Sequence, residues 1–508
     1  MFRLKTGLEQ DSIAIFFDLT SRLIVQKCCS QVREALTKYF VPLHLGTYLF
    51  FWNNKFRKKK QSNFYIKGAS SRTRRQFLEN NSLLAKLLLG LKDDELVLIA
   101  DGTYLYCQKS FNSTIQRLLF SGQKKRHLVK PFIICLANGY IIDAYGMYGG
   151  TKSDSDIIKH ILKTETDLKS LLKPNDVLIL DRGFERAVKE LQKDHKLIVK
   201  MPTCTRKCQL TNNEANQTRI ATKLRWPIEA INGVFKKSFK AVEKTSNNRL
   251  NSIIKDFRIA AAIINRFHSR LYSDIGHEKE IVEEMKKKIN KPNELEKLVV
   301  GKKYKLKKSE FNEINSTEIN DFPMLSLDTI KMKITLGSYQ IKMSKSYLAE
   351  HLKQNGKYTI YLKKDFQINQ HFKTLMCIIQ SRHSNAKKYY LFIKYKLMTD
   401  EDKRKNVEAL ENDACENLQW ACSCFSGLRT VGCCVHVATV VIFLSYYRFL
   451  DNPPNVPGKT LENFLINIDE SDTSSRSVSE EESDSVTEEE IENQNSIQTR
   501  TQRYKHRR

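Results

Sequence analysis

The chain has 508 residues, enough for about two to four domains each with a core of its own. Its 85 Lys and Arg against 57 Asp and Glu give a formal charge of +28, the footprint of a polyanion partner more than of solubility charge alone. A membrane partner is not expected, because the longest apolar stretch near the C-terminus, Val437 to Tyr447, is roughly half of what a bilayer requires.

Asp11 and Asp18 break the apolar N-terminal run, which argues against a secretory signal. Up to residue 45, apolar positions recur at helical spacing, first Ile13, Phe16 and Phe17, then Leu23, Ile24, Cys28, Val32 and Leu36. Asp18-Leu19-Thr20-Ser21 between them supplies a turn and a helix N-cap. Residues 46–92 read as a basic helical linker, with Arg72, Arg74 and Arg75 ahead of the apolar run Leu83 to Leu91.

Residues 93–272 read as an α/β domain. Glu95-Leu-Val-Leu-Ile-Ala is a strand ending on Asp101, and Asn138-Gly139 joins two further strands in a hairpin. A helix through Ile157, Ile158, Ile161 and Leu162 follows. Then come the strand Val177-Leu-Ile-Leu, which ends on Asp181, another strand at Leu197-Ile-Val, and helices through Glu229 and Phe257 to Phe267. Residues 273–323 are Lys- and Glu-rich and read as a charged linker or solvated helix. Residues 324–450 mix short strands with a terminal cysteine cluster. The tail, 451–508, is acidic and then basic, and is expected to be disordered because it buries too little apolar surface to offset chain entropy.

Asp101 and Asp181 each terminate an apolar strand. If the two strands are neighbours, their carboxylates meet at one sheet edge, where like charges repel unless a cation neutralises them. Hard carboxylate oxygens suit Mg²⁺ or Mn²⁺. Taken singly, each aspartate is equally well a strand-end turn residue.

The neighbouring blocks carry more. Asp101-Gly-Thr-Tyr-Leu-Tyr-Cys-Gln-Lys-Ser, Gln116-Arg, Ser121-Gly-Gln-Lys-Lys-Arg-His-Leu-Val-Lys-Pro, Tyr148-Gly-Gly with Ser153-Asp154, Asp181-Arg-Gly-Phe, and Arg225-Trp-Pro-Ile-Glu-Ala-Ile-Asn-Gly-Val-Phe-Lys follow in order. This series resembles the Harbinger-like DDE transposases over residues 95 to 270. The resemblance implies an RNase H-like mixed-sheet nuclease core with Asp101, Asp181 and Glu229 as catalytic metal ligands. It also implies two Mg²⁺ or Mn²⁺ ions, cleavage and strand transfer on double-stranded DNA, and copies of the chain assembled on DNA ends. Lys124, Lys125, Arg126 and Lys130 would grip phosphates, or form a solvated lysine face. Asp154 is a second-rank site candidate whose other role is helix N-capping. Pro227 departs from the branched aliphatic expected there and is read as starting the Glu229 helix.

Cys422-Ser-Cys424 followed by Cys433-Cys434-Val-His436 offers three thiolates and an imidazole, enough for a closed tetrahedral Zn²⁺ site. Its spacing resembles the SWIM zinc finger, a small α+β module at about 410–450. The expected ligands are Cys422, Cys424, Cys434 and His436 around one structural Zn²⁺, with Cys433 spare and the module folding apart from the nuclease core. The N-terminal all-α segment resembles the helix-turn-helix unit that precedes this transposase core, with Arg22 and Lys27 on the early turns of a recognition helix; two packed core helices is the other reading. Arg503 to Arg508 is a candidate nuclear-import run, and the zinc module or acidic tail a candidate contact for a protein partner. Beside an active nuclease stands a domesticated, catalytically silent DNA-binding or partner-recruiting zinc-finger protein.

Overall fold

The structure is a computed structural model that describes residues 1–46, 73–203, 205, 208–300, 311–315, 319–351, 359–363, 371–382, 384, 386–397 and 406–450. The tail from 451 and the first half of the basic linker, Arg72 included, lie outside these residues. Among the described residues no helix is long and apolar enough to cross a membrane.

An eight-stranded mixed sheet organises the chain from residue 97 to residue 245. Its strands are β1 (Val97–Gly102), β2 (Leu105–Cys107), β3 (Phe120–Ser121), β4 (Arg126–Leu136), β5 (Ile141–Gly149), β6 (Val177–Ile179), β7 (Ile198–Lys200) and β8 (Lys244–Thr245). The spine runs β5-β4-β1-β6-β7. β4 is antiparallel to β1 and β5, whereas β6 and β7 run parallel to β1. Strand alternation then sorts the apolar runs onto two faces. Val97, Ile99, Val177 and Ile179 pack with Ile220, Leu224, Ile228, Ile231 and Phe235 of the long helix Asn212–Ser238. Leu98, Ala100, Leu178 and Leu180 pack with Ile157, Ile158 and Ile161 of helix Asp154–Thr164. Burial on both sides explains why these strands read as continuous apolar runs. The β4–β5 turn is the Asn138-Gly139 hairpin, with Gly139 at φ +80° and the Asn138 Oδ1 accepting the Tyr140 N–H at 3.1 Å.

Arg74 holds helix Arg74–Leu78 to this sheet. Its guanidinium donates to both oxygens of Asp176, at 2.5 and 2.8 Å, and Asp176 also accepts the N–H groups of Leu96 and Lys173. Asp176 is fully buried. Removing one partner of such a pair leaves an uncompensated charge, so Asp176→Ala is expected to cost about 3–5 kcal/mol. Urea unfolding tests this, and an unchanged midpoint contradicts it.

Three elements differ from expectation. Residues 278–300 are not solvated linker: Ile281, Val282 and Met285 of helix Glu278–Ile289 are buried in the same core as the long helix. Pro227 does not start the Glu229 helix, which begins far upstream at a Thr211–Glu214 capping box and runs through the proline. At the N-terminus a short helix, Phe2–Thr6, precedes the two expected ones, Gln10–Phe16 and Arg22–Ala35. Ser21 caps the last of these and Asp18 takes φ +51°. Arg33 ties this segment to helix Ile253–Phe267 through Asp256, at 2.6 and 3.3 Å.

A second sheet, wholly antiparallel, is ordered β13-β12-β11-β10-β9. It comprises β9 (Phe311–Asn315), β10 (Thr359–Lys363), β11 (Phe372–Gln380), β12 (Lys388–Lys396) and β13 (Gln419–Cys422). Helix Val435–Ser445, apolar all round, closes its core.

Candidate metal centres

The parallel register Val97↔Val177, Leu98↔Leu178, Ile99↔Ile179 brings Asp101 and Asp181 to the same level of neighbouring strands. Both share the parity of Ile99 and Ile179, whose side chains face the long helix. That helix supplies Arg225, Glu229 and Asn232 at spacings of one turn. Arg225 Nη2 lies 2.5 Å from Glu229 Oε1 and 3.9 Å from Asp181 Oδ1. Asn232 Nδ2 donates to Asp101 Oδ2 at 3.0 Å, while its own buried Oδ1 has no partner among the described residues.

A fourth acid joins them. Ser153, not Asp154, caps helix Asp154–Thr164 by accepting the Asp156 N–H at 3.1 Å. Asp154 instead leans between the two strand ends. A Cβ on Gly102 would lie 2.6 Å from its Oδ1, and one on Gly183 would lie 3.4 Å from its Oδ2. Glycine next to Asp101 is therefore needed for this approach. Lys130 faces Asp154 at 3.6 Å and belongs to the acid cluster more than to an open phosphate-gripping surface.

The electrostatics show too much negative charge. Burial pushes the Asp101 carboxyl up to about 7; Arg225 opposes the rise, and Asp154, Asp181 and Glu229 add to it. A buried carboxylate among three others calls for a cation beyond the Arg225 guanidinium and the Lys130 ammonium. The oxygen-only donor set and the orphaned Asn232 Oδ1 fit a hard divalent ion such as Mg²⁺ or Mn²⁺.

Residues 100–265 match the family model described as DDE superfamily endonuclease. No curated protein and no solved structure matches the chain. The matched span takes in Asp101, Asp154, Asp181 and Glu229 and ends in the helix that closes the core. Over these residues the core is DDE transposase-like.

Lys124, Lys125 and Arg126 are exposed on the turn before and the first residue of β4. Lys124 and Lys236 lie over the Tyr104 ring at 5.0 and 4.0 Å, and Arg126 over Tyr106 at 5.1 Å. Arg22 and Lys27 are exposed on the N-terminal segment, with Arg22 3.7 Å from Asp11. Tyr104, Tyr106, Lys236, Arg225 and Asn232 are additions that sequence periodicity does not single out.

The second centre is sulfur-rich. The ligand atoms of Cys422, Cys424, Cys434 and His436 all lie within 4.8 Å of one another, and all four residues are buried. Cys422 Sγ is 3.7 Å from His436 Nδ1, close to the edge of a tetrahedron built on Zn–ligand bonds of roughly 2.0–2.3 Å. Cys422 ends β13, and the turn beyond it is closed by the Gly427 N–H donating to Cys424 O at 3.0 Å. A Cβ on Gly427 would collide with the Cys422 carbonyl. Cys434 caps helix Val435–Ser445, where its sulfur accepts the Val437 N–H at 3.5 Å. Burial alone would raise the Cys434 thiol, but hydrogen bonds from Cys422, Cys424 and His436 outweigh it and hold it well below its ordinary value. Cys433 is buried apart from this quartet, its carbonyl taken by Arg429.

The cysteine loop is not isolated from the DDE core. Gln209 Nε2 donates to the carbonyls of Cys422 and Cys424 at 2.7 and 3.2 Å. Asn216, fully buried on the long helix, donates to Thr430 Oγ1 and accepts the N–H groups of Thr430 and Val431 at 2.9 and 3.0 Å. The helix that carries Glu229 thus has its first half pinned to the loop between the two ligand pairs.

Proposed function

We propose that the chain is a Harbinger-like DDE transposase or a direct derivative of one: a metal-dependent nuclease that cuts DNA at transposon ends and joins the freed end to a target. The observation that carries this reading is the meeting of Asp101, Asp181 and Glu229, from two parallel strands and one helix, in a cluster whose charge is unbalanced. The spine order, three antiparallel strands followed by two parallel ones, supports an RNase H-like core.

Two divalent ions held by Asp101, Asp181 and Glu229 would clamp the attacking and leaving oxygens of an in-line displacement and acidify the attacking water. In cleavage the water oxygen bonds to phosphorus as the bond to the 3′-oxygen breaks, leaving a 3′-hydroxyl and a 5′-phosphate. Strand transfer repeats the displacement with that 3′-hydroxyl as nucleophile. Arg225 offers a guanidinium to the developing phosphate charge, and Lys124, Lys125 and Arg126 hold the strand beside it. The Cys422, Cys424, Cys434 and His436 quartet, read as a SWIM-type finger, holds one structural Zn²⁺. The N-terminal helices, with Arg22 and Lys27, serve as a helix-turn-helix contact to duplex DNA, and the basic end of the tail directs the chain to the nucleus.

A second reading, a silent DNA-binding derivative, draws on the Arg225–Glu229 pair, which occupies a ligand oxygen. Incubating the full chain with duplexes carrying the sequences that flank its gene separates the two: the first reading expects Mg²⁺- or Mn²⁺-dependent nicks with 3′-hydroxyl ends, the second binding without cutting. Binding itself is expected to be steeply salt-dependent. If about six phosphates are contacted, affinity falls roughly 10³-fold between 50 and 200 mM salt. A flat dependence contradicts the assignment of the basic surface to DNA.

A further inference from the structure

Within the acid cluster Asn232, like Asp154 and Lys130, is a polar group to which the DDE reading gives no role. It stands three residues beyond Glu229, on the same face of the long helix. Its Nδ2 donates to Asp101 Oδ2 at 3.0 Å, so the amide nitrogen is the atom turned toward Asp101. The Oδ1 is buried, and among the described residues nothing donates to it. A buried carbonyl oxygen without a partner carries a desolvation penalty that a native site normally offsets with a donor or an ion.

We propose that Asn232 is a ligand of the divalent cation at the DDE site, giving it the carboxamide oxygen while the amide nitrogen holds Asp101 in place. Amide carbonyls are ordinary oxygen ligands for hard cations. Their neutrality matters here. Asp101 already shares its surroundings with Asp154, Asp181 and Glu229, so a further carboxylate would add repulsion whenever the ion is absent, whereas an amide adds a ligand without charge. The i, i+3 spacing from Glu229 lets one rigid helix present both ligands together, so the cation is met by preset geometry from the helix as well as from the strands.

This inference rests on the metal-centre reading of the acids, and its test separates the two. Mn²⁺, which favours oxygen ligands over the thiolate site, is titrated into the full chain and followed calorimetrically, with thermal unfolding and zinc content as checks of folding. The wild type is compared with Asn232→Leu, Asn232→Asp and Asp181→Asn. Asn232→Leu is expected to weaken Mn²⁺ binding roughly 10- to 100-fold. Asn232→Asp, which keeps an oxygen and loses the N–H, is expected to bind within a few-fold of wild type. If the aspartate variant loses as much affinity as the leucine one, Asn232 only positions Asp101 and the ligand assignment fails. If Asp181→Asn loses Mn²⁺ while Asn232→Leu does not, the metal centre stands and this inference falls. A wild type that takes up no Mn²⁺ overturns both. Asn232→Ala replaces the leucine variant in the same comparison should the latter not fold.

Discussion

Cys434→Ser is expected to release the zinc and to loosen the long helix with it. A structural Zn²⁺ contributes on the order of 10 kcal/mol or more to the fold that holds it. The segment from Cys422 to His436 is short, and four of its buried side chains are the ligands themselves, so emptying the site leaves polar thiols and an imidazole buried together. Were the module independent, the damage would stop there. It does not stand apart, because Gln209 and Asn216 bond to its carbonyls and N–H groups, and Asn216 lies on the helix that bears Glu229. The loss is therefore expected to reach the nuclease site, correcting the sequence-based expectation of an intact core. Cys433→Ser should keep its zinc, since Cys433 lies outside the quartet. Because the thiolate ligands must shed protons to bind, zinc affinity should weaken as pH falls. Metal analysis, with amide exchange over residues 212–238, reads both effects. One zinc retained in the Cys434 variant and lost in the Cys433 variant would reverse the ligand assignment. A protected helix in a zinc-free protein would show that the two sites are uncoupled.

Asp181→Ala should separate chemistry from folding. The side chain is half exposed, makes no cap bond to the turn that follows, and has Arg225 at 3.9 Å as its ion partner. A pair this long, with its carboxylate half exposed, contributes roughly 0–1 kcal/mol, so thermal stability should hardly change. Cleavage should drop by roughly 10³-fold or more, the scale on which members of a cooperating catalytic set fail when one is removed. DNA binding should persist, since the exposed Lys124, Lys125 and Arg126 are untouched. Nicking by the variant at the wild-type rate would remove Asp181 from the mechanism.

Much of the acid site was legible because strand chemistry is local. Apolar runs ending on Asp101 and Asp181 announce two strand ends, and the Asn138-Gly139 turn fixes the antiparallel hairpin between them. The cysteine quartet was legible through ligand spacing, and the four ligand atoms that lie within 4.8 Å of one another do not include the Cys433 sulfur. What stayed hidden depends on long-range contact. Helix Glu278–Ile289 buries a narrow stripe, Ile281, Val282 and Met285, among lysines and glutamates, so composition alone reads it as solvated. The Asn216–Thr430 bond joins residues 214 apart through backbone groups and a hydroxyl, which leave no periodic mark. Asp154 looked like a cap because Ser153 beside it is an equally good one, and the choice between them was made by the glycines at 102 and 183. Asn232 and Arg225 carry no pattern of their own; only the face they share with Glu229 identifies them.

The central claim is that these acids are a metal centre, and crystals of the full chain soaked in MnCl₂ test it most directly. Anomalous scattering is expected to place manganese between Asp101, Asp181 and Glu229, with Arg225 displaced from Glu229 to make room. Density showing Arg225 still paired with Glu229 and no manganese among the carboxylates at saturating MnCl₂ would contradict it.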